Sequence, residues 1–192
     1  MANDNTQFFI KELAFEQALA NLLHTSHGWD GGIMMNPTEE DLVQNWANIL
    51  YDINRDINRL GNAPLTQTEM QQVIDQVNMC ASPFEVNRLI NGGQIIIKRD
   101  NPADTNNCGK EIYLKIFDAQ EICAGQSRYQ IVRQPRFKAS HPLGGDRRGD
   151  VMLLINGMPV IHVELKRSGV DVTQAVFQIK RYTHEGVFSS GI

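Results

Sequence analysis

No apolar run in the chain exceeds five residues, Val151 to Ile155, so no segment can form a transmembrane helix. The opening residues, MANDNTQ, hold no positive charge, which is unlike a secretory signal peptide. Cysteine is scarce, and Cys80, Cys108 and Cys123 match no zinc-module spacing. These absences predict a cytoplasmic chain with free thiols and no membrane partner. His24, His27, His141, His162 and His184 show no metal-ligand spacing, and His162 reads as a hydrogen-bonded strand residue. Ser189 and Ser190 have no visible base partner, which excludes a hydrolase triad. Internal repeats and low-complexity segments are absent. What remains, 42% hydrophobic and 21% charged residues over 192 positions, is an ordinary globular composition of one domain.

The net charge of −4 is unfavourable for nucleic acid, but the average hides a split. Residues 126–182 hold ten Lys or Arg and four acids, a net +6, against −10 for the rest. A local basic stretch can serve a phosphate backbone even in an acidic chain.

Apolar periodicity predicts a helix over 8–25. A second opens at Thr38 and runs to about Arg59, where Gly61-Asn62-Ala63-Pro64 breaks it. A third runs from Thr66 to about Met79, and a short fourth from Ser82-Pro83 to Asn91-Gly92-Gly93. The pattern then turns to strands at 95–97, 112–117, 129–137, 151–155 and 160–165, with polar loops over 100–109 and 139–149. A last helix is expected from Asp171 to about Glu185. The expected class is α+β, a mixed sheet flanked by helices.

The richest stretch is residues 149–166, GDVMLLINGMPVIHVELK. Asn156-Gly157 between apolar runs signals a hairpin. Its open end carries Asp150 on one strand and Glu164 and Lys166 on the other. A two-residue loop would set Asp150 opposite Val163. A three-residue loop, Asn156-Gly157-Met158, would set it opposite Glu164 on one face, and this second register is the one expected because it makes a site. Paired carboxylates suit Mg²⁺, and an adjacent lysine suits an attacking water or a scissile phosphate. Arg147, Arg148 and Arg167 would bind flanking phosphates.

Here the chain resembles a family. Residues 129–166, YQIVRQPRFKASHPLGGDRRGDVMLLINGMPVIHVELK, resemble the N-terminal nuclease domain of type I restriction endonuclease R (motor) subunits, within the PD-(D/E)xK nucleases. Arg147-Arg148-Gly149-Asp150 stands where that family has Arg-Arg-Pro-Asp, with Gly149 as the one visible departure. Asn156-Gly157-Met158-Pro159 is similar to its turn, and Glu164-Leu165-Lys166 to its Glu-Leu-Lys. Gln178 and Tyr182 match a Gln-x-x-x-Tyr motif on the final helix, beside Lys180 and Arg181. The first helix resembles one that brings a glutamate toward the metal; Glu16 matches best, and Glu12 stays open as the alternative.

The resemblance implies a restriction-endonuclease-like core and a Mg²⁺-dependent endonuclease cutting double-stranded DNA. Asp150, Glu164 and the Leu165 carbonyl, with Glu16, would hold the metal, and Lys166 would be catalytic. Gln178, Tyr182, Arg147, Arg148, Arg167 and Arg181 would contact DNA or support the site. It implies methyltransferase and specificity subunits as partners. No P-loop is present, since Cys108-Gly109-Lys110-Glu111 lacks the loop and the hydroxyl, so ATP belongs only to a motor region that this stretch lacks. The chain is thus expected to be a fragment: one nuclease domain over 1–192, with a core helix at 8–30, a helical insertion at 38–91, and sheet, hairpin and final helix over 93–186. A stand-alone repair or junction nuclease, and a non-catalytic DNA-docking module, are the rival readings.

Overall fold

The computed structural model describes residues 11–55, 60–80, 82–90, 93–117, 127–138, 147–171, 173–174 and 176–177. In chain order the elements are α1 (Glu12–Ser26), β1 (Ile33–Met35), α2 (Glu39–Arg55), α3 (Gln67–Asn78), α4 (Pro83–Ile90), β2 (Gln94–Lys98), β3 (Glu111–Lys115), β4 (Tyr129–Arg133), β5 (Arg136–Phe137), β6 (Arg147–Arg148), β7 (Val151–Ile155) and β8 (Met158–Val163).

Three helix starts share one chemistry. Thr38, Thr66 and Ser82 each accept a hydrogen bond from the backbone N–H three residues on, at 3.2, 3.2 and 3.3 Å. Asp41, Glu69 and Glu85 return the bond to the capping residue's own N–H at 2.9, 2.9 and 3.0 Å. Each box satisfies donors that a helix start leaves open, so the local sequence fixes where α2, α3 and α4 begin.

The central sheet is mixed, in the order β1-β4-β7-β8, with β1 parallel to β4 and the other pairs antiparallel. On one face Ile131, Val151, Leu153 and Leu165 pack with Ala20 of α1. On the other, Val132, Met152 and Leu154 pack with Leu42 of α2 and Phe137. Strand β7 is covered on both faces, which is why its sequence is a continuous apolar run rather than an alternation. A larger cluster joins α2, α3 and the antiparallel β2–β3 pair, and reaches Met158 beside the hairpin turn. This is the expected α+β fold with a central mixed sheet flanked by helices. No described helix is long and apolar enough to cross a membrane.

Two expectations need correction. The β7–β8 loop is not three residues long. Asn156 (φ 51°) and Gly157 (φ 84°) form a two-residue turn with Ile155 paired to Met158. Both central residues lie at positive φ, the backbone that best matches strand twist and that Asn-Gly favours. A β-bulge then adds one residue on β8: Leu154 pairs with Pro159 but Leu153 pairs with Ile161. Beyond it Val151 faces Val163, so the expected register holds at the open end although the turn differs.

The second correction concerns 129–137, expected as one strand. Gln134 adopts φ 57° and splits it, and β5 pairs with β6 in a separate two-stranded sheet. Strand β1 escaped the sequence reading, because three residues beside glycines carry too little pattern. The final helix is described at 173, 174, 176 and 177 only, and Gln178, Lys180, Arg181 and Tyr182 lie outside the described residues.

Gly157 has no room for a side chain. A Cβ there would stand 2.8 Å from Trp46 Cα and 3.0 Å from Trp46 Cδ1, on a backbone at φ 84°. Gly157→Ala is expected to cost on the order of 2 kcal/mol, read as a lower urea midpoint at unchanged slope. An unchanged midpoint would mean that the turn relaxes freely.

Candidate active site

The site sits where β7 and β8 part. Val151 is paired with Val163, and the same register carried one residue outward sets Asp150 opposite Glu164. Strand β8 ends at Val163, so Glu164, Leu165 and Lys166 leave the sheet in extended chain. The Leu165 N–H donates to Asp150 Oδ2 at 2.6 Å, which fixes the carboxylate against the opposite strand. The Gln134 N–H donates to the Asp150 carbonyl at 2.8 Å, so the split in β4 still holds the other flank. Lys166 Nζ lies 3.4 Å from Glu164 Oε1, and His162 Nε2 lies 3.5 Å from Glu164 Oε2. Glu164 is almost fully covered, with 2% of its side chain exposed.

Burial pushes the Asp150 carboxyl up to about 6, against the Leu165 N–H that favours the charged form. The Glu164 charge pushes the same way, the Lys166 ammonium opposes it, and Glu12 adds a smaller upward push. A half-buried carboxyl whose ionisation a neighbouring carboxylate opposes is a donor that a divalent cation would relieve. Hard oxygen donors of this kind, one carboxylate just beyond the end of each strand, fit Mg²⁺, which commonly uses one or two carboxylates and keeps its waters. Among the described residues no group of three or more His, Cys, Asp or Glu converges as a ready-made metal cage.

The two helix glutamates divide. Glu16 is buried and engaged at both oxygens: Arg133 Nε donates to Oε1 at 2.5 Å and Gln134 Nε2 to Oε2 at 2.9 Å. Arg133 also donates to Gln17 Oε1. Glu12, one turn earlier and exposed, is the helix acid whose charge reaches Asp150. The sequence reading missed the partners of Glu16. The positive φ at Gln134, which turns that residue out of the strand, leaves no periodic signal.

Arg148 and Arg167 are exposed and Arg147 is half-buried. In the β5–β6 pair Arg136 stands directly opposite Arg148, an arrangement of like charges that a sheet does not favour by itself. Arg136, Arg147 and Arg148 thus stand together on the small β5–β6 pair, just before Asp150 in the chain.

The sequence profile of the family described as type I restriction enzyme R protein N terminus matches residues 9–191. A type I restriction enzyme endonuclease subunit of Staphylococcus saprophyticus is 31% identical over 89% of this chain and 16% of its own length. A type I restriction enzyme endonuclease subunit of Staphylococcus aureus (strain COL) is 32% identical over 74% of this chain and 14% of its own length. The EcoprrI endonuclease subunit of Escherichia coli is 35% identical over 31% of this chain and 18% of its own length. The chain thus spans less than a fifth of each of these relatives. With the profile covering nearly the whole chain, the protein belongs to the family of type I restriction enzyme R protein N-terminal domains.

Proposed function

We propose that this domain is a Mg²⁺-dependent endonuclease that hydrolyses phosphodiester bonds of double-stranded DNA within a type I restriction enzyme. The observation that carries the reading is the Leu165 N–H bond to Asp150 Oδ2 at 2.6 Å just beyond the Val151–Val163 pair, with Lys166 Nζ 3.4 Å from the Glu164 carboxylate. Asp150, Glu164 and the Leu165 carbonyl would hold the metal, with Glu12 rather than Glu16 as the helix carboxylate that assists. The reason is occupancy: both Glu16 oxygens are held by Arg133 and Gln134. A Mg²⁺ held there would supply activation of the attacking water and a counter-charge for the phosphate.

The chain's own groups do the rest. Lys166 orients the attacking water and faces the scissile phosphate as a point charge. Arg147, Arg148 and Arg167 bind neighbouring phosphates, and Gln178, Tyr182 and Arg181 would contact DNA or support the site, as the family resemblance implies. Methyltransferase and specificity subunits would be its partners and supply sequence recognition, as the family resemblance implies.

The test is plasmid cleavage by the assembled restriction enzyme carrying Lys166→Ala in this domain. Cutting is expected to fall by on the order of 10²–10³ while DNA binding persists. Full cutting by the variant, or cutting that survives chelation of Mg²⁺, would refute the mechanism.

A further inference from the structure

Gly149 precedes Asp150 and is buried. A Cβ built on it would stand 2.5 Å from His162 Cε1, 3.4 Å from His162 Nε2 and 3.3 Å from Pro135 Cγ. The imidazole therefore fills the space that any other residue at 149 would claim. His162 and Glu164 are two apart along the chain, and His162 pairs across the hairpin with Met152, one step inside the bulge-corrected register. The imidazole is largely covered, with 13% of its side chain exposed, and its Nε2 is 3.5 Å from Glu164 Oε2, an ion-pair distance for a protonated ring rather than a hydrogen bond. Lys166 approaches the other oxygen, Oε1, at 3.4 Å. The two oxygens of Glu164 thus face a nitrogen each, and every carboxylate oxygen keeps a second lone pair for a cation. A group behind a ligating carboxylate fixes its orientation and commonly changes metal affinity by tenfold or more.

We propose that His162 is a positioning residue for Glu164: seated in the space left by Gly149, it holds the Glu164 carboxylate in the orientation that receives a divalent cation. The inference rests on reading Asp150 and Glu164 as a cation site. Gly149 and His162 act as one unit in it, because only a residue without a side chain admits the ring.

The experiment is calorimetric titration of the 192-residue chain with Mg²⁺ alone, beside thermal melts without metal. His162→Leu keeps the volume and loses the nitrogen; His162→Gln keeps a polar donor on that face. Mg²⁺ affinity is expected to fall roughly 10–100-fold in His162→Leu and to return to within about threefold of wild type in His162→Gln, with similar metal-free melts. Gly149→Ala, which displaces the ring, is expected to lose affinity as His162→Leu does. It decides the matter by itself if His162→Leu does not fold. Affinity unchanged in His162→Leu and Gly149→Ala, or lost equally in the Leu and Gln variants, would overturn the role of His162 and leave the cation site standing. A wild-type chain that binds no Mg²⁺ would overturn both.

Discussion

Asp150→Asn is expected to abolish Mg²⁺ binding and, without metal at pH 7.5, to raise the melting temperature. The asparagine keeps an oxygen for the Leu165 N–H, which reaches Asp150 Oδ2 at 2.6 Å, and removes the charge. The Asp150 carboxyl titrates at about 6 in the fold, against 3.8 ordinarily, mainly because it is half-buried and then because Glu164 repels it. A raised carboxylate pKa means that the folded state holds its proton more tightly than the unfolded chain. That contribution to stability is fully present below about pH 3.8 and is lost as pH rises through about 6. At pH 7.5 the ionised group opposes folding, by about 1 kcal/mol once solvent screening is allowed for.

The variant should therefore melt roughly 2–4 °C higher than wild type without metal. Wild type should gain stability from Mg²⁺ at pH 7.5 and gain almost none at pH 5, where Asp150 keeps its proton. Melting curves at the two pH values, with and without Mg²⁺, check all three statements. A variant that melts lower at pH 7.5, or a Mg²⁺ effect that is equal at both pH values, would contradict the account.

Arg99→Ala is expected to be the most damaging single change away from the site. The guanidinium is fully buried, and it pairs with Glu69 Oε2 at 2.6 Å and Asp104 Oδ2 at 3.0 Å. It also donates to the carbonyls of Pro64 and Ala63. Glu69 is the acid of the α3 capping box and also accepts from the backbone N–H groups of Asp100 and Asn101 at 2.7 and 3.2 Å. One arginine thus ties the loop before α3, the cap of α3 and the loop after β2. Removing it leaves a buried carboxylate without its counter-charge, a loss of about 3–5 kcal/mol. The melting temperature should fall by roughly 10 °C. A double-mutant cycle with Glu69→Gln should show coupling above about 1 kcal/mol. Additive effects would mean that the two groups are held independently.

The sequence by itself determined what depends on near neighbours. Thr38, Thr66 and Ser82 with an acid three residues on place three helix starts, because a capping box closes within one turn. Asn156-Gly157 places the hairpin, because few residue pairs tolerate two positive φ angles. The continuous apolar run of β7 marks a strand buried on both faces. The order Asp150, Glu164, Lys166 then names the candidate chemistry, and the family resemblance carries through to the profile match over residues 9–191.

Tertiary structure decided the rest, because those choices depend on partners far along the chain. The bulge in β8 sets Val151 against Val163, the pair that leads out to Asp150 and Glu164, although the turn has two residues and not three, and a bulge answers to twist and packing across the sheet. The turn of the chain at Gln134 ends β4 and sends that side chain to Glu16, 118 residues away in sequence. Arg133 and Gln134 together hold Glu16, and leave Glu12 as the helix acid that Asp150 senses. The burial of Arg99 beside Glu69 and the fit of His162 against Gly149 are likewise invisible to periodicity. Burial and pairing of charge over such separations are properties of the packed chain, and no local pattern of residues encodes them.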